Sequence, residues 1–397
     1  MLLNTVEEYL VIFLALVIIV LINFSIKIDG PPISDVYRTP STFYWIKVYT
    51  FYIILHIRRL ITSSDPVEIL DKAQKLPLGE KAVDGVYING SNSAGDCVSM
   101  CINRRNNNNV ETYVFLKFAY LGHTLTHLRN PETYFVNTKD TREFNVDGLK
   151  ASPVLPMEKW KISYNGKLKE ATTQISHNVQ IHLEFSSNSS FFNSECDCDY
   201  FLCAKSLALE QWSTAYFNIL NEFHLQHYAQ IGNLKGTVVI DGMEYSINME
   251  AYRDHSIAKN YSWATYHRYV MHYVTIENGD RFVVGKVSQP IIASNFTLGF
   301  MYSAREKKYY PLKDTNFELY QHGEVEDPPT NYAFSFKAGN QQYTMQVNVE
   351  TTASCYLGRE WDCKLLDRCC VVEVNGKKGW GVCQWLYRNL HSKNNLK

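Results

Sequence analysis

Four short turn signals constrain this chain more than anything else in it. Asp241-Gly242, Asn278-Gly279, Ala338-Gly339-Asn340 and Asn375-Gly376 each stand between two apolar or aromatic runs. Dipeptides of the Asn-Gly and Asp-Gly type accept the positive φ angles that tight hairpins need, so each marks a strand, a turn and a second strand. The strands read as Val238–Ile240 with Tyr245–Met249, Tyr266–Ile276 with Arg281–Val287, Phe334–Phe336 with Tyr343–Val349, and Val371–Val374 with Trp380–Trp385. Antiparallel neighbours this close, with no helix between them, exclude a parallel α/β sheet and imply a sandwich or barrel. Earlier runs at Val86–Ile88, Val98–Ile102 and Tyr113–Phe118 extend the β pattern, with the polar stretch Arg104–Asn109 as a loop between two of them. The 27 tyrosines, 20 phenylalanines and 7 tryptophans suit half-buried pleated surfaces.

One segment breaks the pattern. Leu207, Trp212, Tyr216, Ile219, Leu220, Phe223 and His227 recur at helical spacing, with Glu210 and Glu222 off the apolar face, which predicts a helix linking two β units. The formal net charge of −1 over 397 residues offers no basic surface for nucleic acid. No phosphate-cradling glycine loop, HExxH or GxSxG motif occurs, and no cofactor or metal is predicted.

The N-terminus points to a bilayer. Tyr9–Phe24 is uncharged and, extended through Ile26, nears the ~20 residues of a membrane-crossing helix. Glu7 and Glu8 precede it and no small-residue cleavage site follows, so the run reads as an uncleaved single-pass anchor rather than a signal peptide. Lys27, Arg38, Lys47, Arg58 and Arg59 all follow it, which places the bulk of the chain in the cytosol, at the endoplasmic reticulum. Matches to N-x-[ST] at Asn23, Asn89, Asn188, Asn260 and Asn295 leave a lumenal orientation open. A second apolar stretch, Phe43–Ile61, carries Trp45, Tyr49 and Tyr52 and is closed by His56, Arg58 and Arg59. It reads as an amphipathic helix on the membrane surface, with a second span as the alternative. The chain divides into an anchor (1–30), a surface segment (31–64), a first barrel (65–200), a linking helix (201–235), a second barrel (236–390) and a tail (391–397).

The densest group of reactive side chains is Arg253-Asp254-His255-Ser256, followed by Trp263, Tyr266, His267, Arg268 and His272. Arg, Asp and His together can shift one another's pKa and move a proton, or can simply satisfy one another in a buried loop. Along the strand from Tyr266, the residues Tyr266, Arg268, Val270 and His272 share one face, and His267, Tyr269, Met271 and Tyr273 the other; either can line a cavity. His224 and His227 form H-x-x-H, which reads as a packed pair or as half of a metal site. The ten cysteines show no paired C-x-x-C spacing; in a cytosolic setting they are reduced, in a lumenal one the five from Cys355 to Cys383 become disulfide candidates.

The order Arg253-Asp254-His255-Ser256, Trp263, His267-Arg268-Tyr269 resembles the R-D-H-S…W…R-Y signature of the superfamily that includes AttH-like proteins, carotenoid hydratases, tocopherol cyclases and some Diels–Alderases. Val86–Arg388 is similar to membrane-anchored animal proteins of this type, in some of which, among arthropods, such a region accompanies a phosphoenolpyruvate-synthase-like module. Val86–Gly90, Ala208–Trp212, His227-Tyr228, Tyr332–Gly339 and Gly379-Trp380-Gly381 support the likeness. It departs at Ile257-Ala258, where the superfamily has an aromatic residue and a glycine, and at Ala229, where it often has Glu.

The resemblance implies a mainly β fold of two lipocalin-like antiparallel barrels. With the apolar N-terminus, it implies a membrane-anchored protein that binds a hydrophobic small molecule, lipid- or isoprenoid-like, in a barrel cavity, with Trp263, Tyr266, His267, Arg268 and His272 around the ligand. The alternative it carries is a cyclase, hydratase or isomerase in which Asp254 or His255 transfers a proton and Arg253 orients it. A non-catalytic membrane scaffold is the third reading.

Overall fold

The computed structural model describes residues 30–61, 66–137, 143–324, 326–391 and 393. The apolar run Tyr9–Phe24, expected as the anchor, lies outside them. Among the described residues no helix is long and apolar enough to cross a membrane, so the second-span alternative for Phe43–Ile61 is not met. That stretch forms helix α1 (Tyr44–Ile61), followed by the single turn α2 (Val67–Leu70).

Twelve strands make the N-terminal sheet: β1 (Val83–Ser91), β2 (Cys97–Arg105), β3 (Asn109–Lys117), β4 (Thr124–His127), β5 (Tyr134–Val136), β6 (Phe144–Val146), β7 (Leu149–Leu155), β8 (Lys159–Glu170), β9 (Ser176–Ser186), β10 (Phe192–Asn193), β11 (Leu225–Ile240) and β12 (Met243–Ala258). Strand β9 pairs with β8 on one side and β11 on the other, so the path β11–β12–β1–β2–β3–β4–β8–β9 returns to β11, with the remaining four strands attached outside it. Eight further strands close a barrel in chain order: β13 (Arg268–Ile276), β14 (Arg281–Gln289), β15 (Ala293–Ser303), β16 (Lys308–Thr315), β17 (Asn331–Ala338), β18 (Gln341–Leu357), β19 (Cys363–Val374) and β20 (Lys377–Arg388).

All four hairpins stand where the turn residues placed them. Asp241 and Gly242 have φ of 48° and 87°, and Asn375 and Gly376 have 49° and 79°, the two consecutive positive angles of a tight hairpin turn. Between β13 and β14 only Gly279 is left-handed (φ 86°), in a longer loop closed by Gly279 N–H to the Ile276 carbonyl at 2.8 Å.

Two sequence expectations are corrected. Residues 201–235 are not one helix but α3 (Tyr200–Ala208), α4 (Thr214–Glu222) and the start of β11. The break has a cause. Ser213 caps α4 by accepting from Tyr216 N–H at 3.1 Å, and Glu210 turns inward to take Ser294 N–H (2.6 Å), Ser294 Oγ (2.8 Å) and Arg38 Nε (3.0 Å). Second, the Asp241-Gly242 hairpin belongs to the N-terminal sheet. Its second strand, β12, pairs through Glu250–Ala258 with the whole of β1, Val83 opposite Ala258 through Ser91 opposite Glu250. Arg253-Asp254-His255-Ser256 is therefore mid-strand, not a connecting loop.

Burial shows where the two units meet. In β17 inward Tyr332, Phe334, Phe336 and Ala338 alternate with exposed or half-buried residues, so one face packs in the barrel and the other is more open to water. In β1 every residue is buried, and in β13 all but Tyr269. These strands bury one face in their own unit and the other in a seam. Tyr87, Tyr113, Phe115 and Tyr252 of the N-terminal sheet pack there against Met271, Tyr273, Phe300 and Leu386 of the closed barrel. The closed barrel's own interior is filled by Val270, Phe282, Phe334, Phe336, Met345, Trp385 and their neighbours, as the bore of an eight-strand barrel allows.

Candidate functional site

The cavity expected inside a barrel lies instead in the seam. It measures about 210 Å³ and is lined from both units: Tyr87, Tyr252, Asp254, Ser256 and His227 on one side, Tyr269, Met271, Tyr273 and Phe300 on the other, with Tyr261, Trp263 and Tyr266 at the crossing between β12 and β13. Seven tyrosines line it, Tyr113 completing the set. Asp254 is the one carboxylate among these residues, and no Lys or Arg is among them.

Strand alternation decides which members of Arg253-Asp254-His255-Ser256 reach this space. Asp254 and Ser256 face the seam; Arg253 and His255 face the interior of the N-terminal sheet and are fully buried. Arg253 pairs with Asp71 at 2.7 Å, donates to Gln230 Oε1 at 2.8 Å and lies 4.6 Å from the Trp160 ring centroid. Asp71 also accepts from Met157 N–H (2.6 Å), Trp160 Nε1–H (2.9 Å) and the Tyr228 hydroxyl (2.9 Å). Tyr228 in turn sits 2.8 Å from His255 Nδ1, and His255 Nε2 meets Asp84, which also pairs with Arg104. The result is a continuous buried network of charged and polar groups, with Asp71 and Asp84 as members that no sequence signal picked out.

The seam face is arranged differently. Asp254 has Tyr87 and Ala229 as its cross-strand neighbours, and Ser256 has Gly85 and His227. Ala229, where the resemblance often has Glu, leaves Asp254 without a second carboxylate opposite it. A Cβ at Gly85 would fall 2.1 Å from Asn103 Oδ1, another cavity residue, so this position holds no side chain. His227 Nδ1 lies 2.8 Å from Ser256 Oγ; His224 turns away to Glu195 at 2.7 Å, so the H-x-x-H pair does not converge.

Burial in this aromatic space pushes the Asp254 carboxyl up to about 7, against the opposing pull of its hydrogen bond with Tyr252 and of the Arg253 charge. Burial drives His227 the other way, down to about 4, with His255 adding to the effect. At neutral pH the cavity thus holds a carboxyl near its midpoint and a neutral imidazole. At the far end Gln384 donates to Tyr113 Oη (3.1 Å) and Asp367 (2.9 Å) and accepts from Tyr269 Oη (3.2 Å); burial raises Asp367 to about 6.

Of the other residues singled out in the sequence, Trp263 and Tyr266 reach the cavity. The Trp263 indole N–H donates to Glu111 at 2.7 Å, and Glu111 also accepts from Gly358 N–H at 2.6 Å, which stitches the two units together. His267, Arg268 and His272 are elsewhere. His267 bonds Glu324 at 2.6 Å. Arg268 donates to the Leu319 and His322 carbonyls, each at 2.8 Å, and pairs with Glu324. His272 contacts Tyr332 Oη at 2.9 Å inside the closed barrel. The β13 face that meets the seam is that of Tyr269, Met271 and Tyr273. All ten cysteines are free thiols, the five from Cys355 to Cys383 among them.

A mainly β chain with a closed eight-strand barrel, a second large sheet and an aromatic seam cavity is the class that fold and site define. The chain belongs to the family of unknown function DUF8627, which it matches over residues 10–387. No curated protein matches it. Among solved structures it is similar to an AttH protein from Nitrosomonas europaea (9% identity, TM-score 0.47, covering 83% of this chain and 100% of that one). It is also similar to kievitone hydratase from Nectria haematococca (8%, 0.49, 77% and 88%) and to CghA in complex with Sch210972 (9%, 0.44, 78% and 89%).

Proposed function

We propose that this chain is an enzyme of the hydratase, cyclase or isomerase type, acting by proton transfer on a compact, hydrophobic, unsaturated molecule held in the seam cavity. The observation that carries the reading is Asp254, a carboxyl with a pKa of about 7 opening onto a space lined by aromatic rings. A general acid works best when its pKa lies near the working pH. The protonated Asp254 would add its proton to one alkene carbon, the adjacent carbon becoming a cation against the faces of Trp263, Tyr266 and Tyr273. Water, positioned by Ser256 Oγ and His227, would form the new C–O bond and return a proton to the Asp254 carboxylate; ring closure or loss of a neighbouring proton are the other exits from the same cation. The volume of about 210 Å³ suits one compact molecule rather than a long acyl chain.

The test uses a panel of cyclic and phenolic alkenes in D₂O with the wild-type chain and Asp254→Asn. Deuterium incorporation that falls at least 100-fold in the variant, with ligand binding retained, is the expected result. Ligand binding with no deuterium exchange at any pH would instead favour the reading as a binding protein.

The bilayer is the proposed source of the molecule. Helix α1 packs Val48 and Phe51 against Ala204, Ala208 and Tyr216, while Trp45, Tyr49, Ile53, Ile57 and Leu60 on its other side are 54–85% exposed. Arg58 and Arg59 at its end are exposed as well, which suits an anionic leaflet. Brominated phosphatidylcholine–phosphatidylserine vesicles should quench a tryptophan signal that Trp45→Phe removes and Ile53→Asp/Ile57→Asp weakens; equal quenching in all three chains would overturn this.

A further inference from the structure

A second site stands at the rim of the N-terminal sheet, away from the seam. His123 directly precedes β4, Glu170 ends β8 and His177 is the second residue of β9. The chain positions are far apart, but β8 pairs with both neighbours there, Glu170 opposite Leu125 and Leu168 opposite His177. His123 Nε2 lies 3.3 Å and His177 Nε2 3.0 Å from the same carboxylate oxygen, Glu170 Oε1. All three ligand atoms fall within 4.8 Å of one another. Two ligands of a tetrahedral zinc ion, each ~2.0–2.1 Å from the metal, are about 3.3 Å apart. The spacings of 3.0 and 3.3 Å already match, and the pair of imidazole nitrogens, within 4.8 Å, needs at most about 1.5 Å of adjustment.

The surroundings supply the supporting partners that a metal site needs. Glu170 is itself buried, and its other oxygen is held by the Thr173 hydroxyl, which leaves Oε1 for the two imidazoles. Asp241, in the β11–β12 turn, takes His177 Nδ1 at 2.7 Å and is held in place by Asn178 N–H at 2.8 Å. A carboxylate on Nδ1 selects the tautomer that keeps the Nε2 lone pair free, and it orients the ring for a metal. Two imidazoles and one carboxylate form a donor set of borderline softness, the kind zinc and its neighbours prefer to calcium or magnesium.

We propose that His123, Glu170 and His177 bind one divalent transition metal ion of the zinc class, with Asp241 positioning His177 and the fourth coordination place left to water. The ion would join three strand ends and, through Asp241, the β11–β12 turn.

Titration of zinc into the chelator-treated full chain, followed by calorimetry and metal analysis after gel filtration, tests this. One equivalent should bind. His177→Ala and Glu170→Gln should each abolish stoichiometric binding. Asp241→Asn should weaken it 10–100-fold, as loss of an orienting partner does, and His123→Asp, which keeps a ligand, should retain it better than His123→Ala. Circular dichroism on each variant separates lost ligands from lost fold. No bound zinc in the wild type, or unchanged binding in folded His177→Ala, would overturn the proposal. Neither result bears on Asp254.

Discussion

The two faces of β12 make the most instructive contrast in this molecule. Four consecutive residues, Arg253 to Ser256, look like one reactive group, yet the period of two sends them into opposite environments. On the interior face, Arg253 and His255 meet Asp71, Tyr228, Gln230 and Asp84, and nearly every polar atom has a partner. On the seam face, Asp254 is half-buried among tyrosines, no Lys or Arg lines the cavity with it, and its exposed part meets that cavity. Partnered charge holds a fold together; a carboxyl that opens onto a cavity is available for chemistry. Chemical type at adjacent positions does not distinguish the two.

The contrast can be broken from the interior side first. Arg253→Met leaves Asp71 charged and buried without its cation, so stability should fall by about 3–5 kcal/mol in urea unfolding. An effect below about 1 kcal/mol would mean the network is not what holds β12.

On the seam side the sign is reversed. The folded-state pKa of Asp254 is raised from 3.8 to about 7, so folding favours its neutral form. Its contribution to stability is complete below 3.8 and lost as pH rises through about 7, with a slope of at most about 1.4 kcal/mol per pH unit. Asp254→Asn should remove this slope, leaving the variant more stable than the wild type at pH 8 and close to it at pH 3. A variant less stable than the wild type at both ends would place Asp254 in the partnered class with Arg253.

The smallest expected effect sharpens the far end of the cavity. Tyr269→Phe deletes one hydroxyl bonded to Gln384 at 3.2 Å and should cost about 0.5–1.5 kcal/mol. The cavity gains only the space of one oxygen atom, so ligand affinity should change little.

Much of the fold was legible because turn chemistry is local. Asp241-Gly242 and Asn375-Gly376 demand positive φ wherever they stand, and α1 occupies almost the whole run read as a helix. The division near residue 235 failed for the opposite reason. Nothing within β11 or β12 records that β12 will pair with β1, more than 150 positions away in the chain. The single helix expected through Leu207–His227 failed at Glu210, placed on the outer face by periodicity but drawn inward by Ser294 and Arg38.

The site was half legible. Trp263 and Tyr266 were singled out beside Asp254 and do line the cavity, but Arg268 and His272, on strand β13, lie in the barrel interior. Alternation along β13 separates two faces without saying which is which, because nearly every position of that strand is buried. Tyr87 and Tyr252 carried no signal of their own, Tyr273 stood on one of two candidate faces, and His227 was read only as part of H-x-x-H. His123, Glu170 and His177 were invisible for the same reason, being gathered from three strands by pairing alone.

What the sequence determined by itself is the class of structure: antiparallel strands, four hairpins at named turns, a tryptophan- and tyrosine-bearing helix near the N-terminus, and which residues can carry a proton or a charge. Tertiary structure alone decided that the barrel interior is solid, that the cavity lies between the two units, and that Asp254 rather than Arg253 or His255 faces it. The reason is physical. Turn preference and strand period act over a few residues, whereas burial and the pKa shifts that follow from it depend on which distant strand arrives on each face.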